Sequence, residues 1–124
     1  MLPGHLLVHT VTVVEPAETT DGYNNTTYDY GPGATRTVLE ADGAGGGAWL
    51  QQDERTEQFR DGRAPLDQRW LMLTNYSPIS GLARIEWPDH PAGPVVFDVD
   101  GPTEPAYTPV GFHHTETRLR IAAG

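Results

Sequence analysis

Cysteine and lysine are both absent from this 124-residue sequence. Without cysteine, the chain has no disulfide, no thiolate zinc site and no thiol nucleophile. Without lysine, its eight basic residues are all arginines, and 17 acidic residues bring the net charge to −9. Because such a surface repels phosphate groups, we do not expect DNA or RNA binding as the main activity.

Long apolar runs are missing as well. The N-terminal run of residues 6–14 is interrupted by His9, Thr10 and Thr12, and no basic residue precedes it. We therefore expect neither a signal peptide nor a membrane span.

Residues that support catalysis are few. Ser77 and Ser80 are the two serines, and neither lies in a Gly-x-Ser-x-Gly pattern. His113 and His114 are neighbours on a predicted strand, so we expect them to point to opposite faces, which disfavours a shared metal ion. We predict that the protein is not an enzyme and that it has no catalytic residue, metal site or cofactor.

A glycine-rich stretch lies early in the chain, with four glycines among residues 43–47. A phosphate-binding loop would need a following helix, and a P-loop would also need a lysine. The sequence offers neither, so we predict a flexible turn.

The clearest element is a β-hairpin over residues 83–101. Both arms, residues 83–87 and 95–100, alternate apolar and polar side chains with a period of two, which places Trp87 and Phe97 on buried faces. Prolines and a glycine between the arms cannot continue the ladder and mark the turn.

The rest of the chain also indicates β-structure. Residues 17–34 are predicted to form a long loop with room for a short hairpin, and the proline-rich residues 102–110 a crossing loop. No segment shows helical spacing. We predict one domain over residues 1–124: an all-β, small single-domain β-barrel of six to seven strands with long inserted loops. The further strands are predicted over residues 5–14, 35–40, 48–51, 67–76 and 112–121.

Four aromatic residues are predicted to anchor the core: Trp49, Trp70, Trp87 and Phe97. Each lies in a strand-like segment beside other apolar residues. A sugar-binding platform is the alternative for the tryptophans.

The order of these parts resembles the head-to-tail stopper, or head-closure, proteins of long-tailed phages, particularly those of actinobacterial hosts. The resemblance covers nearly the whole chain. Its most telling parts are Arg84-Ile85-Glu86-Trp87 and Phe97-Asp98-Val99-Asp100-Gly101. The other parts are Asp-Gly-Tyr-Asn-Asn, Ala-Trp-Leu-Gln, Trp-Leu-Met-Leu and the terminal Glu-Thr-Arg-Leu-Arg.

The resemblance implies a structural protein of the virion neck, made in the host bacterial cytoplasm. The subunit would form a homo-oligomeric ring below the portal and adaptor proteins and above the tail terminator and tail tube. The ring would close the DNA exit channel after packaging, and genomic DNA would pass through its lumen without specific binding. The resemblance implies no membrane partner.

The resemblance also implies a plug loop, inserted between two barrel strands, that reaches into the lumen of the ring. A charged segment lies at the corresponding place in this sequence. Residues 52–65 lie between the strands of Trp49 and Trp70, as the plug loop does, and the tyrosine-bearing residues 17–34 are the rival for that role. The candidate channel residues in the first segment are Asp53, Glu54, Arg55, Glu57, Phe59, Arg60, Asp61 and Arg63.

Other functions remain open at this point. A tail terminator or another neck or tail component is a near neighbour of the first hypothesis. A carbohydrate-binding β-sandwich module would use the tryptophans and loop tyrosines. A small hydrolase would use a histidine together with Asp98 and Asp100, which share one face of a predicted strand.

Overall fold

The fold is all-β, as the alternation predicts. The computed structural model describes residues 2–43, 45–52, 69–76 and 78–121. After a short 3₁₀ turn, Gly4–Leu6, ten strands follow in chain order: β1 Val11–Glu15, β2 Ala17–Thr20, β3 Thr26–Asp29, β4 Thr35–Leu39, β5 Ala48–Gln52, β6 Arg69–Thr74, β7 Arg84–Trp87, β8 Val95–Val99, β9 Glu104–Thr108 and β10 Gly111–Ile121.

Eight of the strands form one antiparallel sheet. Its order is β4-β1-β7-β8-β10-β6-β5, and β9 pairs with β10 beside this path. Strands β2 and β3 form a separate hairpin. The predicted hairpin over residues 83–101 is confirmed, because β7 and β8 pair in register with Ile85 opposite Phe97.

The large sheet curls back on itself into a partly closed barrel. His9, two residues before β1, pairs with Ala48 at the start of β5 through two backbone hydrogen bonds of 2.8 Å. Gly47 lies at this junction, where a Cβ atom would come within 2.2 Å of the His9 carbonyl oxygen. The glycine-rich turn is thus part of the closure, since only glycine permits this approach.

The core fills the inside of the curl. The alternation predicted for the hairpin is confirmed by burial, with Ala83, Ile85 and Trp87 on the buried face of their arm. The buried apolar cluster comprises Val11, Val13, Leu39, Ala48, Leu50, Met72, Ile79, Ala83, Ile85, Trp87, Phe97, Val99 and Leu119.

The four predicted core anchors do not all reach the core. Trp87 and Phe97 are buried, and Trp70 is partly buried against the cluster. The prediction for Trp49 is wrong, because its side chain is 42% exposed. On β5 the residues on either side, Ala48 and Leu50, face inward, so Trp49 must face outward.

A second correction concerns residues 102–110, which were expected to form a crossing loop. Residues 104–108 form β9 instead. Proline is tolerated in edge strands, and among the described residues β9 has β10 as its neighbour. Pro102 and Pro109 lie outside the strand, so Pro105 alone must be accommodated.

Candidate interaction surface

The charged segment predicted as the channel loop begins beside a described strand pair. Gln52, the first residue of the segment, is paired with Trp70 in the β5–β6 ladder. The predicted channel residues themselves lie outside the described residues: Asp53, Glu54, Arg55, Glu57, Phe59, Arg60, Asp61 and Arg63.

A cluster of aromatic and imidazole rings lies where that strand pair meets the β7–β8 turn. The Trp87 ring contacts His9, His90 and Trp70, with centroid distances of 4.8, 4.9 and 5.7 Å. Trp70 also packs 5.8 Å from Phe97. Two histidines and two tryptophans therefore share one packed group, and burial lowers the pKa of His9.

The carboxylates considered for hydrolysis are engaged in ion pairs. Asp98 accepts a hydrogen bond from Arg84 at 3.2 Å, and Asp100 lies 3.8 Å from Arg69. Ser80 is occupied as well, since its hydroxyl donates to Glu15 at 2.6 Å. These contacts give the polar side chains structural roles.

Strands β9 and β10 form a hairpin that extends past the rest of the sheet. β9 pairs with residues 111–116 of β10, whereas β6 pairs with β10 from residue 115 onward and β8 from residue 119 onward. We call residues 104–114 the arm.

The end of the arm is apolar and exposed. Tyr107 and Phe112 face each other with ring centroids 6.1 Å apart and are 70% and 40% exposed. Val110 lies in the turn between the strands and is 97% exposed. Sequence analysis missed this element because its prolines indicated a loop. The signal available in the sequence was the alternation that resumes after Gly111.

The base of the arm carries a chain of hydrogen-bonded side chains. His113 Nδ1 lies 2.8 Å from His114 Nδ1, and His114 Nε2 lies 2.9 Å from Glu116 Oε2. The expectation that the two histidines point to opposite faces is therefore wrong. A β-bulge shifts the register between Phe112 and His114, and this brings the two rings together.

The His114 ring thus contacts an imidazole on one side and a carboxylate on the other. Partial removal from water lowers the pKa of His113. Within the described ranges, no group of three or more His, Cys, Asp or Glu side chains is placed to hold a metal ion.

An open cleft of about 390 Å³ lies on another part of the surface. Its walls come from the end of β4, the glycine-rich turn and the residues after β6, including Val38, Leu39, Glu40, Gly46 and Tyr76. Gly46 has a φ of 77° and packs against the 3₁₀ turn, where a Cβ would lie 3.1 Å from Leu7 Cδ1. The turn therefore presents backbone rather than side chains to the cleft.

Comparison with known proteins supports the fold. No protein-family model matches this chain, and no curated protein matches it. The solution structure of protein SF1141 from Shigella flexneri 2a, a structural genomics target, is similar with a TM-score of 0.58. The alignment covers 96% of each chain at 16% identity, a level that shows a shared fold and nothing further.

No helix in the described part of the chain is both long enough and apolar enough to cross a membrane. Together, the arm, the cleft and the exposed Trp49 are surfaces suited to contact with other molecules.

Proposed function

We propose that this protein is a head-to-tail stopper of a long-tailed phage, a structural subunit that forms a ring below the portal and adaptor and provides the attachment surface for the tail. The observation that carries the proposal is the arm: a small, partly closed barrel extends its longest strand into an exposed apolar hairpin. Such an element suits protein contact. The order of the sequence parts supports the same conclusion.

The electrostatics of the chain are compatible with a DNA channel. The net charge of −9 disfavours adhesion to phosphates. In the described residues, Arg36 is paired with Glu86 at 2.7 Å, Arg84 with Asp98 and Arg69 with Asp100. The positive charges of these three guanidinium groups are therefore partly neutralised by acidic residues of the same chain.

Electron microscopy of a phage that carries this reading frame with an amber codon at Gln51 tests the proposal. In a non-suppressing host we expect tailless heads that have packaged and then lost DNA, beside finished free tails. A host that inserts glutamine at the amber codon restores the natural chain and is the matched control.

Other particle types would contradict the stopper assignment. Normal infectious virions in the non-suppressing host would overturn it. Heads joined to tails of uncontrolled length would instead indicate a tail terminator.

A carbohydrate-binding module is the second candidate, because Trp49 is exposed on the outer face of β5 beside Leu73. Exposed tryptophans stack on sugar rings through their apolar faces. Binding to a glycan panel, followed by tryptophan fluorescence, tests this candidate. Trp49→Ala should abolish any quenching, whereas Leu82→Ala, a change at another exposed apolar residue, should preserve it.

A further inference from the structure

Beyond Glu104 at its start, the arm has no charged residue, and its end is apolar and exposed. Residues 105–115 contain no Asp, Glu, Lys or Arg, although the whole chain carries a net charge of −9. Two copies of an acidic protein repel each other wherever their charged surfaces meet. The cores of protein interfaces are correspondingly depleted of charged residues. A contact between copies is therefore favoured at neutral surfaces such as the arm.

The cleft between β4 and the glycine-rich turn is another surface with little charge. Among its lining residues, Glu40 is the one with a charged side chain, and Val38, Leu39 and Tyr76 provide apolar walls. Its volume of about 390 Å³ is within the range of pockets that enclose small molecules. It therefore has room for bulky side chains from the end of an arm.

We propose that the arm of one copy of this chain packs into the cleft of a neighbouring copy, with Val110 and Phe112 against Val38 and Tyr76. This inference rests on the proposed function, since it assigns the contact that builds the ring. The arm and the cleft are different surfaces of the same molecule. Their contact is heterologous, and repeated contacts of this kind produce a closed ring or an open filament.

Disulfide trapping tests the contact directly because the natural chain has no cysteine. The variants Val110→Cys and Val38→Cys are purified separately, mixed at high concentration and oxidised. A disulfide requires Cα atoms within about 7 Å, so it reports close approach. The matched control replaces the arm variant with Tyr23→Cys, whose side chain is 87% exposed at the end of the β2–β3 hairpin.

We expect the pair of residues 110 and 38 to form the mixed disulfide at least about tenfold more than the pair of residues 23 and 38, a ratio equivalent to about 1.4 kcal/mol. Equal yields for the two pairs would overturn the proposal. Circular dichroism of each variant confirms that it is folded before mixing.

Sedimentation measurements separate this inference from the proposed function. Val110→Asp places a charge on the arm and should weaken association by about tenfold or more, whereas Tyr23→Asp should not. Assemblies that form equally well with Val110→Asp would overturn the role of the arm and leave the stopper assignment standing. If the mixed disulfide forms at the arm but the amber phage still gives normal virions, the contact would be supported and the stopper assignment overturned.

Discussion

His9 Nδ1 accepts a hydrogen bond from the backbone N–H of Leu50 at 3.0 Å, so an imidazole completes the junction between the two ends of the curled sheet. The nitrogen can accept only when it carries no proton, which fixes the neutral form with hydrogen on Nε2. The ring also packs against Trp87, 4.8 Å away. Closure of the barrel is therefore linked to the protonation of one side chain.

This link predicts that acid weakens the fold. Burial lowers the pKa of His9 below its ordinary value of 6.5, so the unfolded chain binds the proton at a higher pH than the folded chain does. The stabilisation is present above pH 6.5 and is lost as the pH falls from there through the lowered pKa of the folded state. Urea unfolding at a series of pH values measures this loss.

The variant His9→Asn is the control for that titration, because its amide oxygen can accept the Leu50 N–H and does not titrate. Its free energy of unfolding should vary less between pH 7 and pH 5 than that of the natural chain. An identical pH profile for the two proteins would contradict the role of His9.

Replacement of Gly47 is expected to destabilise the same junction. Its added Cβ in Gly47→Ala would lie 2.2 Å from the His9 carbonyl oxygen and 3.0 Å from the Ala41 nitrogen, both of them backbone atoms that cannot move aside cheaply. We expect a loss of about 1–3 kcal/mol or more in the free energy of unfolding. Gly45→Ala is the matched control, since its Cβ would meet nothing within 4 Å. Similar losses in both variants would indicate that the clash is not the cause.

Replacement of a buried threonine inside the barrel is expected to increase the stability of the fold. Thr115 and Thr117 are fully buried, and within the described ranges of the chain their hydroxyl groups have no hydrogen-bond partner. Thr117→Val replaces an unsatisfied hydroxyl with a methyl group of the same shape, so we expect stabilisation of about 1 kcal/mol in thermal or urea unfolding.

Thr74→Val provides the contrast, because the Thr74 hydroxyl donates to the carbonyl of Tyr76 at 3.2 Å although it is equally buried. That variant should be destabilised by about 1 kcal/mol. If both substitutions shifted stability in the same direction, the hydrogen bonds would not explain the result.

Tyr30, the residue after β3, connects the β2–β3 hairpin to the large sheet. Its hydroxyl donates to the Leu82 carbonyl at 2.6 Å, and the Arg84 guanidinium carbon lies 3.8 Å from its ring centroid. Tyr30→Phe removes the hydrogen bond and keeps the ring, so we expect a loss of about 1 kcal/mol and faster amide exchange in residues 17–29. Tyr28→Phe, an exposed tyrosine on the same hairpin, should change neither quantity.

The sequence by itself determined the elements that depend on local alternation. The β7–β8 hairpin, the inward faces of Trp87 and Phe97, and the end of β1 at Glu15 before a proline follow from a period of two and from residues that stop a ladder. The all-β class follows from the same patterns. The stopper function is a prediction from the order of the sequence parts and remains one until the amber phage is observed.

Only the tertiary structure decided which strands are neighbours and what each face meets. The segment around Trp49 forms a strand as predicted, but the Trp49 side chain faces outward. Alternation defines two faces of a strand and does not say which one is buried. The bulge that brings the His113 and His114 rings together arises from the pairing of β10 with β9. The prolines around β9 had led to the prediction of a loop there. The closure of the barrel at His9 and Ala48 joins residues 39 positions apart, and such a pairing depends on how the whole sheet curls.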